Sequence, residues 1–226
     1  MKRTTSVAQP APAKPTRVRT PNRRGQGGHL REEIIDAAVA LLDETGGQHV
    51  VTLRSIARRV GIATPSIYLH FPDQPAVMLA ALQREFTGLE AVLRAAVDQA
   101  GDDPRRRLLA VCETYLDFAV RHPQRYRTMF GGLWTPALGD NSPTGTDLAR
   151  LGAASMLILV EVLDDCVAAG VVTSADVSAD ATALRAGLHG LAHQRIVSPS
   201  YPWPADIPER VILPLTGLNT IQPAHS

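Results

Sequence analysis

From Leu30 onward, apolar residues return every three or four positions along most of the chain, and this spacing constrains the fold more than any other feature. Residues three and four apart share one face of an α-helix, whereas a half-buried strand alternates at every second residue. Leu30, Ile34, Ala38, Leu41 and Leu42 keep the helical period, as do Met78, Leu82, Phe86, Leu89, Leu93 and Ala96. Alternating runs of Val, Ile and Thr are scarce, so the chain is expected to be all-α. Hydrophobic residues make up 45% of the 226 and aromatics only 4%, so the core has to be assembled mainly from Ala, Leu and Val.

The spacing and its punctuation predict helices over roughly 30–45, 53–59, 64–70, 74–100, 104–121, 123–130, 146–169, 176–197 and 206–218. Thr52 and Asp73 stand where N-caps are needed, because their side-chain oxygens can accept from the unpaired N–H groups of a first turn. Gly46-Gly47 ends the first helix and Gly61 the second. Pro65 falls in a first turn, where its missing N–H costs little. "GGLWTPALGDNSPTGT" (131–146) reads as a loop, and "SPSYPWPADIP" interrupts the chain before the last helix. Residues 1–28, rich in Pro, Thr, Arg and Gly, bury too little apolar surface to fold and are expected to be a disordered arm. Residues 29–75 then form one small domain, and 76–226 a second, helical one.

A net charge of +1 conceals an asymmetry. Residues 1–72 hold eleven Lys/Arg against five Asp/Glu, and residues 73–226 hold twelve against seventeen. The arm alone carries Lys2, Arg3, Lys14, Arg17, Arg19, Arg23 and Arg24 with no acid. A polyanion partner is therefore expected at the N-terminal end only. The basic start has no apolar stretch behind it, so it does not read as a secretory signal, and no apolar run is long enough to span a bilayer. A cytoplasmic protein with no membrane partner is expected. Cys112 and Cys166 both lie in apolar helical stretches, which favours buried free thiols over an isolated disulfide.

The strongest local motif lies between about 52 and 71. A helix, a turn on Gly61 and a short second helix make the helix-turn-helix pattern. The short helix "TPSIYLH" presents small polar residues and can lie in a major groove. Arg54 and Arg58, four apart on the preceding helix with Arg59 beside them, suit the flanking phosphates. The short helix has no Arg, Lys, Asn or Gln, so bidentate reading of guanine or adenine is closed to it. Positive charge must come from Arg54, Arg58 and the arm.

The stretch "REEIIDAAVALLDETGGQHVVTLRSIARRVGIATPSIYLHFPDQPAVMLAAL" resembles the DNA-binding domain of the TetR (tetracycline-repressor-like) family, over residues 31 to about 82. The likeness rests on the Ile-Ile-x-x-Ala start, the Gly closing the first helix, Ile56-Ala57, Gly61 and Tyr68-x-His70-Phe71. "HPQRYRTMFGG" and "LHGLAH" resemble the ligand domain of the Trp-His-Gly type, with Leu188 where that Trp would be. The resemblance implies a homodimeric repressor that binds a double-stranded DNA operator and is released by a small-molecule effector. It assigns Thr64 and Ser66 to base edges or phosphate, Pro65 to thymine methyls, and Tyr68 and His70 to phosphate. Thr52 would offer its backbone N–H and hydroxyl to a phosphate. Where the family usually places a phosphate-contacting Lys, this chain has Gln74 followed by Pro75. The effector is expected to be a modest apolar molecule. The alternative is a DNA-binding regulator whose C-terminal domain senses a protein partner.

Each candidate has a bland counterpart. Thr64 and Ser66 could merely cap a helix, Tyr68 could be core, and Arg58 and Arg59 could be a solvated face. Ile67 reads as core. Tyr115, Met129, Phe130 and Met156 read as core or as lining of a ligand pocket, since such pockets are carved from core residues. Trp134 and Trp203 sit in Pro/Gly loops, as anchors or at a pocket mouth. His189 and His193 have metal-ligand spacing, but without a Glu beside the first or a nameable third ligand a structural or pocket-lining pair is favoured. Small residues in 176–197 (Ala183, Ala186, Gly187, Gly190, Ala192) suggest a close-packed dimer face. No nucleophile turn, phosphate-cradling loop, CxxC or paired-carboxylate site is present in the sequence, so no enzyme activity, metal or cofactor is expected.

Overall fold

The computed structural model of the chain describes residues 27–45, 51–131 and 143–218. Among them every regular element is helical: α1 (Gly27–Thr45), α2 (Leu53–Val60), a 3-10 helix (Thr64–Leu69), α3 (Gln74–Gln99), α4 (Pro104–Arg121), α5 (Pro123–Phe130), α6 (Gly145–Arg150), α7 (Ala153–Ala168), α8 (Val177–Val197) and α9 (Ile207–Thr216). None is long and apolar enough to cross a membrane. The arm expected over 1–28 lies outside the described residues except for Gly27 and Gly28, which open α1. Gly46-Gly47 and Trp134 also lie outside them.

A small head forms around Ile34, Ile35, Ala38 and Leu42 of α1, Ile56 and Ala57 of α2, and Ile67. The head core also takes Val77, Met78, Ala80 and Ala81 from α3, past the boundary expected at residue 75. A larger body packs α4, α7, α8 and α9 around Leu108, Val111, Leu116, Ile158, Leu163, Leu184, Leu188 and Ile212, with Leu89 and Leu93 of α3. Leu188, where the resemblance would put a Trp, is fully buried in this core. Burying a side chain of that size contributes about 1.5–3 kcal/mol, which fixes the orientation of α8 against α4 and α7. Cys112 and Cys166 are buried free thiols.

Helix α3 belongs to both cores. At 26 residues it is about 39 Å long, enough to run from one to the other. Asp73 starts it, accepting from the Ala76 N–H at 2.8 Å. Ion pairs lock it laterally: Arg84 to Glu32 and Asp36 of α1, Glu85 to Arg125 of α5, and Arg94 to Glu161 of α7. Glu85 is only 4% exposed, so its pairing with Arg125 offsets a desolvation cost that an unpaired carboxylate could not sustain.

The helix expected over 146–169 is two helices. Gly152, at φ +75°, turns the chain between α6 and α7. A β-carbon there would lie 2.9 Å from the Phe86 ring of α3, so only glycine permits both this conformation and this approach. Of the small residues of α8, Ala183, Ala186 and Gly190 are exposed at i, i+3, i+7 spacing on one side of the helix. Ala192 is in the core, and at Gly187 a β-carbon would come within 2.5 Å of Leu215 on α9.

Candidate nucleic-acid interface and inner cavity

The head builds its outer surface on two tight local devices. Thr52 and Ser55 form a reciprocal capping box: the Thr52 Oγ1 accepts from the Ser55 N–H at 3.0 Å, and the Ser55 Oγ accepts from the Thr52 N–H at 2.9 Å. The Thr52 N–H expected to meet a phosphate is therefore already engaged, and the Thr52 hydroxyl also reaches the Ser55 Oγ, at 3.2 Å. At the other end of α2, Gly61 adopts φ +77° and the Ala57 carbonyl accepts from both Gly61 and Ile62, at 2.9 and 3.0 Å. This reverses the chain within a few residues and lays Thr64–Leu69 across α2.

The second helix of the motif is a six-residue 3-10 helix rather than an α-helix. Ile67 anchors it, fully buried, while Pro65 is exposed and Thr64, Ser66 and His70 are half-buried. Tyr68 is 57% exposed and so is not core, and Leu69 is 83% exposed. Leu69 was not among the residues singled out in the sequence. Its signal was an apolar residue two places past the buried Ile67 in an otherwise small, polar segment. Arg54 and Arg58 are exposed and make no ion pair among the described residues. Arg59 instead pairs bidentately with Glu44 of α1, at 2.6 and 2.7 Å. Gln74 donates to the Val51 carbonyl at 2.7 Å and so ties the start of α3 to the loop before α2. The result is a surface of small polar groups with Tyr68 and Leu69 projecting and two uncommitted guanidinium groups beside it.

Within the body, α3, α4, α5, α6, α7 and α8 leave a cavity of about 600 Å³. The structure brings Tyr115, Met129, Phe130, Met156 and His189 together around it, with Leu82, Phe86 and Leu93 contributed by α3. Phe130 is the hub, meeting Phe86, Tyr115, Tyr126 and His189 at ring centroid distances of 5.3, 5.9, 4.9 and 5.5 Å. Tyr126, Arg185 and Ser155 were missed in the sequence. Each lies within a turn of a residue already singled out (Tyr126 before Phe130, Arg185 before His189, Ser155 beside Met156), and helical spacing from those was the signal that could have found them. Trp203 plays no part in this wall and closes its own loop, its indole N–H donating to the Ser198 carbonyl at 3.1 Å.

One side of the wall is a polar relay. The Tyr126 hydroxyl lies 2.6 Å from His189 Nδ1, and the Tyr115 hydroxyl lies 3.2 Å from that of Tyr126 and 3.3 Å from Nδ1. Burial holds His189 below its ordinary basicity, helped by the charges of Arg185 and His193, so the ring is neutral at pH 7. We assign the tautomer in which Tyr126 donates to Nδ1 and Nε2 carries the proton. Burial pushes both phenols up and keeps them protonated, while the Tyr126 hydrogen bond and then Arg185 pull Tyr115 the other way. Ser155 adds a buried hydroxyl with no hydrogen-bond partner among the described residues. His193, four residues on from His189, is exposed.

Two family descriptions match this chain. "Bacterial regulatory proteins, tetR family" covers residues 34–81, and "Tetracyclin repressor-like, C-terminal domain" covers 108–213. The HTH-type transcriptional activator FasR of Mycolicibacterium smegmatis is 33% identical over 112 residues, 48% of this chain and 50% of its own length. The HTH-type transcriptional repressor KstR of the same organism is 37% identical over 79 residues, 34% of this chain and 37% of its own. The chain thus spans half or less of the length of these curated relatives. A solved protein of unknown function from Rhodococcus sp. RHA1 superposes with a TM-score of 0.72 at 26% identity, over 88% of this chain and 100% of that one. With both halves matched, and the head and body arranged as described, the chain belongs to the TetR family of bacterial regulatory proteins.

Proposed function

We propose that this protein is a sequence-specific DNA-binding repressor, acting as a homodimer and released from its operator when a small molecule enters the body cavity. The observation that carries this reading is the double membership of α3. The same helix supplies Val77 and Met78 to the head core and Leu82, Phe86 and Leu93 to the cavity wall. A ligand that repacks the wall bears directly on the helix that holds the head, and it shifts the head only by its difference in affinity for the two arrangements. Thr64, Pro65 and Ser66 meet the groove, while Thr52, Arg54, Arg58, Tyr68 and His70 meet the phosphates. The cavity favours a small molecule over a protein partner, because it is internal and walled by aromatic and aliphatic side chains. Relatives include both an activator and a repressor by name, and repression is the simpler outcome for a head whose whole surface is given to DNA.

The test is selection of bound duplexes from a random library, followed by release with a panel of small molecules. A near-palindrome with half-sites about 34–36 Å apart, or a multiple of that spacing, is expected. Recovery of duplexes with no shared sequence would overturn the operator reading. Release by none of the panel, despite tight specific binding, would favour the protein-partner alternative.

A further inference from the structure

Among the described residues the cavity wall carries one charged residue, Arg185, and no acid. Arg185 lines the cavity and yet is exposed, so it stands where the cavity meets the surface. It makes no hydrogen bond or ion pair among the described residues, unlike Arg59, Arg84, Arg94 and Arg125, each of which is matched to a carboxylate. His189 lies one turn further along α8 on the same wall. In the assigned tautomer its Nδ1 is occupied by Tyr126, which leaves Nε2–H as an uncommitted donor. Arg185 also acts electrostatically on both His189 and Tyr115, so the three groups occupy one end of the wall. Elsewhere the wall is mainly apolar, through residues such as Leu82, Phe86, Leu93, Val111, Met156 and Leu159, with the hydroxyls of Thr128 and Ser155 as its other polar groups among the described residues.

We propose that the ligand of this cavity is an amphipathic anion: an aliphatic or aryl body seated among the leucines and Phe86, with a carboxylate-type head group held by Arg185 and the His189 N–H. This rests on the cavity being the effector site and sharpens the expected apolar molecule into an acid. A guanidinium offers a planar pair of donors that matches a carboxylate, and the neutral imidazole adds a third donor without adding charge. A neutral apolar ligand would make no use of Arg185 at the opening. A cationic ligand would be repelled there, with no acid among the described wall residues to receive it.

The experiment uses the full chain and matched straight-chain carboxylates and alcohols of 8 to 14 carbons, with binding followed by calorimetry and by thermal shift. Wild type is expected to bind the best carboxylate at least tenfold more tightly than the alcohol of equal length. Arg185→Gln should bring the two within about twofold, and Arg185→Lys should restore part of the preference, since charge returns without the fork. Arg195→Gln, on the same helix but outside the wall, should leave the preference intact. If wild type binds acids and alcohols equally, or Arg185→Gln keeps the preference, the head-group assignment is wrong while the cavity remains an apolar ligand site. If no member of either series binds, the reading of the cavity falls with it.

Discussion

The head and the body of this protein both have largely aliphatic helical cores, but they differ in what they leave unfilled. The head is packed through, and its functional groups are on the outside, set by tight local geometry: a capping box at Thr52, a left-handed Gly61 and a short 3-10 helix pinned by Ile67. The body withholds packing on the inside, where a cavity of about 600 Å³ faces a tyrosine–histidine relay and an orphaned Ser155 hydroxyl. A surface that must fit a duplex gains from rigidity, whereas a wall that must respond to a guest gains from groups whose partners are not yet supplied. The ion pair of Glu85 with Arg125 lies between these two regimes.

Breaking that pair should have the largest effect. Glu85→Gln leaves Arg125 partly buried without its carboxylate and is expected to cost about 2–4 kcal/mol. Thermal unfolding should show a fall of several degrees in Tm, and an unchanged Tm would mean that α3 and α5 are held by apolar packing alone. Next comes the head surface. Tyr68→Phe should weaken DNA binding by about 1–2 kcal/mol, the scale of a hydrogen bond to a charged acceptor, and equally on all sequences. A changed base preference at one position instead would move Tyr68 from the phosphate to a base edge.

The body can be tested in the opposite direction. Ser155→Ala removes a buried hydroxyl that has no partner, so it should leave the empty protein as stable or raise it by about 1 kcal/mol. A clear loss of stability would show that the hydroxyl is satisfied in solution. The smallest effect is a pH dependence. His189 is less basic folded than its ordinary 6.5, so just below that pH the unfolded chain binds the extra proton. Stability should be full above about pH 6.5 and decline as pH falls toward the folded value. His189→Gln should flatten this decline, measured as Tm between pH 7.5 and 5.5. An equal slope in both proteins would place the titration elsewhere.

The two regions were also unequally legible in the sequence. The head's devices are local, so Thr52, Gly61, Pro65 and Asp73 announced themselves by position, and the buried Ile67 could be separated from its neighbours. What escaped was competition for the same donor: Ser55 occupies the Thr52 N–H, and Glu44 occupies Arg59 from 15 residues away. The body's wall is assembled from six of the described helices, and a cavity residue such as Met156 carries the same apolar signature as a core residue such as Leu163. The break at Gly152 was hidden because Leu148, Leu151 and Met156 sustain helical spacing across it; the reason for the break is a ring on α3 that no local window contains. Gly187 shows a related effect, since its smallness serves α9 of the same chain.

Because α3 is shared, the point at which this chain can be cut is not where its helix-turn-helix ends. A fragment stopping at residue 75 would lose Val77, Met78, Ala80 and Ala81 from its own interior, along with the Arg84 that grips Glu32 and Asp36. The smallest head that could fold alone therefore extends to about Arg84, by which point it already carries Leu82 of the cavity wall. Transplanting this head onto another body thus moves part of the cavity wall with it, so that on the proposed function the DNA-reading and guest-holding parts share one helix.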